Sequence, residues 1–255
     1  MFTLSAAPTI PAQTPAQLST IPVPPVAPWA SRAVHSRWRP IQHGELAQTI
    51  LEQADALGLE VHRHSWQTSG PGDTELFGSL DFSRNPCLDV PDGMLFSLGV
   101  RHSNAGRYAL TLVTGARVIV CTNGMLVGEQ VLSRRHTEDL DLLATVRRGL
   151  EASVAQADRV GAWVTRLTST ALTDPQADRL MMAAARCRVL SWSALHHVDR
   201  AWRRPPHEVF EARNAWSLYN AFTEVARERS PAVQLKAFRG LHRLFDGGAL
   251  GELLN

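Results

Sequence analysis

The chain is almost without lysine. Of its 26 basic residues only Lys236 is a lysine, so the other 25 (26 less one) are arginine. Codon usage in a GC-rich genome accounts for much of such a bias. Its chemical consequence is that positive charge is carried by planar guanidinium groups, which bind phosphate bidentately and stack on bases. Cysteine is scarce as well. Cys87, Cys121 and Cys187 are odd in number and far apart, which fits reduced thiols in a cytoplasmic protein better than a disulfide framework. No apolar run approaches the roughly 20 residues of a membrane crossing. The opening "MFTLSAAPTIPAQTPAQ" has neither a basic region nor an apolar core, so no secretory signal and no membrane partner are expected. The glycines fall in neither Walker nor Rossmann spacing, and cysteine and histidine form no closed ligand set. No nucleotide, metal or other cofactor is therefore expected.

Charge is nearly balanced overall, at +2, but not locally. Residues 41–100 hold two Arg against nine acids, which gives −7. Residues 101–136 hold Arg101, Arg107, Arg117, Arg134 and Arg135 against Glu129, which gives +4. A basic block of this kind attracts polyanions.

Seven prolines before residue 30 remove amide donors and fix φ, so residues 1–37 read as an extended tail. Leu46, Ile50, Leu51, Ala54 and Leu57 recur at helical spacing over about 44–57, and Gly58 is a natural C-cap. Alternating runs follow at "LEVHRHSWQT" and "TELFGSLDFS", then at "MLFSLGVRHS", "RYALTLV", "ARVIVCT" and "MLVGEQVLS". The last four are joined by Asn104-Ala105-Gly106, Thr114-Gly115 and Asn123-Gly124. Connections this short cannot make parallel crossovers, so the runs form an antiparallel meander. An Asn-Gly type I′ turn would set Thr122 against Met125.

The period then changes. Leu143, Val146, Leu150, Val154, Ala157, Val160, Val164 and Leu167 predict one amphipathic helix of about 30 residues, with Thr137 as N-cap. Further helices are expected near 175–188, 206–227 and 231–246. The fold class is α+β: an antiparallel β-meander sheet packed by a long helix, then a helical C-terminal region. The expected divisions are a tail (1–37), an α+β core (38–172) and a helical extension (173–255). A sheet covered by helices on one face leaves the other open or binding something.

Three stretches resemble a known family when taken together: "FSLGVRHSNAGRYAL" (96–110), "GARVIVCTNGML" (115–126) and "RRHT" (134–137), with "PIQHGELAQTI" as lead-in. They are similar to the phage- and plasmid-type proteins that carry the domain of unknown function 932. The similarity covers roughly residues 38–172. It implies residence on mobile elements, where recombination, replication and anti-defence proteins are common. The meander followed by a long helix is also similar in outline to single-strand annealing recombinases.

The candidate nucleic-acid contacts are Arg101, Arg107, Arg117, Arg134, Arg135 and His136, which adjacent antiparallel strands would gather on one surface. A solvated strand face is the competing reading. Cys121 in an apolar strand reads as a buried small side chain rather than a nucleophile. His62 and His64 share a strand face that His102 and His136 could approach, yet no third ligand has diagnostic spacing. His196 and His197, consecutive on a helix, should point apart. Arg200, Arg203 and Arg204 around Trp202 form a small basic-aromatic cluster. The leading expectation is a non-enzymatic DNA-binding protein, a single-strand binding or annealing accessory that forms a homo-oligomer. The alternative is a protein-interaction or structural module of a mobile element. An enzyme using Cys121 or a histidine-bound metal ranks last.

Overall fold

A computed structural model describes residues 39–83, 88, 94–118, 130–226, 229, 231–246 and 250–252. The first helix, α1 (His43–Ala56), buries Leu46, Ala47, Ile50 and Ala54 along one stripe, as the spacing predicts. It ends in a Schellman motif. Gly58 has φ +70°, its N–H donates to Asp55 O at 2.8 Å, and the Leu59 N–H reaches back to Ala54 O at 2.9 Å. Glycine takes that left-handed φ without the Cβ penalty.

Five strands follow: β1 (Val61–Ser69), β2 (Glu75–Phe82), β3 (Met94–Ser103), β4 (Leu110–Val118) and β5 (Gln130–Arg134). They form one sheet in the order β1-β2-β3-β4-β5, every neighbour antiparallel. The meander is as expected, with one correction. Thr114-Gly115 is not a turn, because β4 runs through it with Thr114 opposite Leu98 and Gly115 opposite Ser97. Full-length pairing with β3 outweighs a lone glycine, which marks a turn only weakly. Asn104-Ala105-Gly106 does turn, with Gly106 at φ +71°. The Asn123-Gly124 hairpin and Cys121 lie outside the described residues.

One long helix is also not what forms. The chain makes α2 (Leu142–Val154) and α3 (Ala157–Ser169), parted at residues 155–156. Asp141, not Thr137, caps α2 by accepting the Ala144 N–H at 2.9 Å. The two halves serve different neighbours: α2 packs on α1 and β5, and α3 on β4 and α6. Then come α4 (Asp174–Arg186), α5 (Leu195–Arg203), α6 (Ala215–Ala226) and α7 (Pro231–Phe245). The expected 206–227 helix starts only at Ala215, and α5 was not anticipated. Among the described residues no helix is long and apolar enough to cross a membrane.

One apolar core runs from Ile41 to Leu250 and crosses residue 172 without a break. The Ala215 N–H donates to Thr170 O at 2.8 Å and the Leu172 N–H to Arg213 O at 2.9 Å, tying the end of α3 to the start of α6. On β3, Met94, Phe96, Leu98 and Val100 face this core. The alternate positions face the other way, but they are not an open platform. Leu95, Ser97, Phe77, Thr111 and Val113 on that side are all buried.

Candidate nucleic-acid interface

The six residues singled out from the sequence divide into three groups. Arg134 ends β5 opposite Leu110, and Arg135 follows it. Both are exposed, and neither side chain makes a hydrogen bond or ion pair among the described residues. Arg39, also exposed, lies beside them, because its backbone N–H donates to His136 O at 3.2 Å. Sequence reasoning missed Arg39, and nothing in its own neighbourhood pointed to it.

Arg101 and Arg107 sit at the β3–β4 turn. Arg107 Nη1 donates to Glu75 Oε1 at 3.0 Å, so an acid of the 41–100 segment ties it up. Glu75 is buried and also accepts the Ser69 hydroxyl at 3.0 Å. The guanidinium of Arg101 lies over the Tyr108 ring, 4.5 Å from its centroid. Burial, and then the nearby Arg239 of α7, push its pKa below the usual arginine value; Tyr108 and Glu75 oppose this. Burial and Glu75 in turn push the Tyr108 hydroxyl upward. Arg117 pairs with Leu95 in β4, but its side chain lies outside the described residues. At the other end of the same face Asp81 accepts Arg63 Nη2 at 3.2 Å and the Ser97 hydroxyl at 2.6 Å.

His136 does not share the basic surface. It is 2% exposed and joins His43 and His102, both 0% exposed. This corrects its expected role, since a side chain so enclosed cannot touch a polyanion. The His102 and His136 rings are 5.1 Å apart, and His43 and His102 meet edge-on at 4.6 Å. His43 Nε2 donates to the Asp73 carbonyl at 2.7 Å. With both rings neutral, its Nδ1 is the acceptor for His102 Nε2–H at 2.6 Å. Desolvation lowers all three pKa values. His136 falls to about 4, with His43 as second cause. His102 falls well below its ordinary value, helped by His43 and His136, and His43 falls against the opposing pull of Asp73. Asn104 closes the same corner, accepting the Ile41 N–H at 3.0 Å and donating to Ile41 O at 2.8 Å. The partner that His102 and His136 find is His43 of α1, in place of the His62 and His64 expected from the sequence.

Among the described residues no group of three or more His, Cys, Asp or Glu is arranged to hold a metal ion. Cys187 is exposed and free. His196 and His197 do not point apart, since their rings are 3.7 Å from centroid to centroid. The cluster around Trp202 is a structural tie. Trp202 Nε1 donates to Asp174 Oδ1 at 3.0 Å, and Arg203 contacts Asp174, Asp178 and Asp199.

The fold and site define an α+β protein whose histidine-locked corner holds exposed arginines at the end of an edge strand. The segments 40–43, 102–104 and 134–137, each within a stretch that carries the family resemblance, converge on that corner. The profile of the family described as Domain of unknown function (DUF932) matches residues 32–243, and the chain belongs to this family. Searches of curated proteins and of solved structures found no match.

Proposed function

We propose that the chain is a non-enzymatic nucleic-acid-binding protein of phage/plasmid type, which holds a single strand through its phosphates and serves strand annealing or recombination as a homo-oligomer. One observation carries the reading. Arg39, Arg134 and Arg135 are exposed, come together from two segments, and rise from a corner fixed by buried histidines. Phosphate contacts need guanidinium groups that are free of acids and held in place. Glu138 and Asp139 are exposed close by and temper the local charge; Asp141 is engaged as the α2 cap.

The test is fluorescence anisotropy with an unstructured oligothymidylate across a salt series. Single-strand binding should weaken with salt, and each phosphate contact removed should lower the log–log slope by about 0.7. The triple variant Arg39→Ala/Arg134→Ala/Arg135→Ala should bind roughly tenfold or more weakly at low salt. Absent binding by the unaltered chain, or equal binding by the variant, removes the proposal.

A second reading, a protein-interaction module, is favoured by Trp192 and Leu143, which are 57% and 55% exposed. A monodisperse oligomer that ignores nucleic acid, and that dissociates on Trp192→Ser or Leu143→Ser, supports it.

A further inference from the structure

Among the described residues the Arg101 side chain has no hydrogen-bonded or ion-paired partner, and its one contact of note is the Tyr108 ring. Its Nε is buried and makes no hydrogen bond, and among the described residues it forms no ion pair. The nearest acid, Glu75, is already taken by Arg107 Nη1 at 3.0 Å and the Ser69 hydroxyl at 3.0 Å. Tyr108 holds one face of the guanidinium plane at 4.5 Å, and Phe77, with its ring 5.8 Å from Tyr108, backs that shelf. Stacking uses the face of the group and leaves the donor edge unused. A buried charged donor without a partner is costly and calls for an explanation.

We infer that Arg101, seated on Tyr108, is a phosphate-binding residue whose donor edge takes the oxygens of a phosphate group. An arginine fork fits two phosphate oxygens side by side. Arg239 of α7 and Arg107 bring two further guanidinium groups near Arg101, against the carboxylate of Glu75. Arg101 and Tyr108 are both partly exposed and Arg107 is 58% exposed, so a ligand reaches the cluster from solvent. Arg101 stands opposite Thr111, and Thr111 opposite Ser133. Ser133 therefore lies on the Arg101 face, two strands or about 10 Å away, while Arg134, opposite the buried Leu110, alternates to the other face. The phosphate is either a phosphodiester of a strand crossing that row or a free phosphate monoester.

The experiment titrates the full chain with inorganic phosphate, against chloride at matched ionic strength. The readouts are calorimetry and the Nε–Hε proton resonance of Arg101. Phosphate should shift that resonance. The affinity should fall at least tenfold in Arg101→Gln and severalfold in Arg101→Lys, which keeps charge but loses the fork. It should be unchanged in Arg186→Ala, an exposed arginine at the end of α4. No shift in the unaltered protein, or equal affinity in Arg101→Gln, overturns the inference, and the resonance decides even where Arg101→Gln does not fold. Oligothymidylate lacking terminal phosphates separates the two sources. If it displaces phosphate, the site takes a phosphodiester. If phosphate binds but the oligonucleotide neither binds nor competes, the site stands for free phosphate monoesters and the nucleic-acid reading fails by itself.

Discussion

Arg188 shows how much a single residue conceals. It follows α4 at φ +55°, its N–H donates to Ala185 O at 3.0 Å, and the Val189 N–H reaches Ala184 O at 2.9 Å. This is the closure that Gly58 makes after α1, built with a residue that strains to adopt it. The left-handed region costs a non-glycine residue about 1 kcal/mol or more, while glycine loosens the unfolded chain. Arg188→Gly should therefore raise the unfolding free energy by up to about 1 kcal/mol, read from the urea midpoint at constant m-value. A lower midpoint would mean that the Arg188 side chain contributes more than its backbone strain takes away. Gly58 was legible because glycine announces a left-handed C-cap; Arg188 was not, since arginine announces nothing. The same holds for the candidate contact residues. Arg134 and Arg135 could be picked out as charge, but the sequence does not say that Arg107 meets Glu75 or that Arg101 lies on Tyr108. Those contacts join strands that only the sheet register brings together.

Among the elements, the meander and α1 could be read from alternation and spacing, because period-2 and period-3.6 patterns follow directly from strand and helix geometry. The break between α2 and α3 could not. Apolar residues keep their three- and four-residue steps across residues 155–156, with no glycine or proline to warn of a stop. What divides the helix is tertiary: α2 must lie flat on Leu112 and Leu132, and α3 must reach α6. Gly149 makes the first contact possible. A Cβ there would stand 2.4 Å from Leu112 Cδ1 and 3.3 Å from Leu132 Cδ2. Gly149→Val would gain some helix propensity, but it drives a branched side chain into two packed leucines. Overpacking of this kind costs about 1–3 kcal/mol. A net loss of about 1–2 kcal/mol is expected in chemical denaturation, and Leu112→Ala in the same chain should recover part of it. If Gly149→Val is neutral alone, α2 is not held as closely to the sheet as this contact requires.

For the whole molecule, the histidine corner couples the sheet, α1 and the segment after β5 to pH. His43, His102 and His136 are neutral in the fold, and each has its pKa lowered chiefly by burial. In the unfolded chain a histidine titrates near 6.5. Above that value both states are neutral and these groups leave stability flat. As the pH falls below 6.5 the unfolded chain takes up protons that the fold refuses, so stability falls with pH. The fall continues until the folded groups titrate, at about 4 for His136. A move from 6.5 to about 4 in one group corresponds to about 3 kcal/mol when fully expressed, at roughly 1.4 kcal/mol per pKa unit. The carbonyl and charge of Asp73 act the other way on His43 and reduce its share. The urea midpoint should therefore be level from pH 8 to 7 and drop steadily from 6.5 to 4.5. His136→Gln and His102→Gln, which cannot titrate, should flatten that drop even where they lower the midpoint at pH 7. Arg39, Arg134 and Arg135 stand on this corner, so on the nucleic-acid reading proposed above the affinity should weaken over the same acid range in the unaltered chain and less in His102→Gln. A drop that both variants reproduce in full would place the acid sensitivity elsewhere in the molecule.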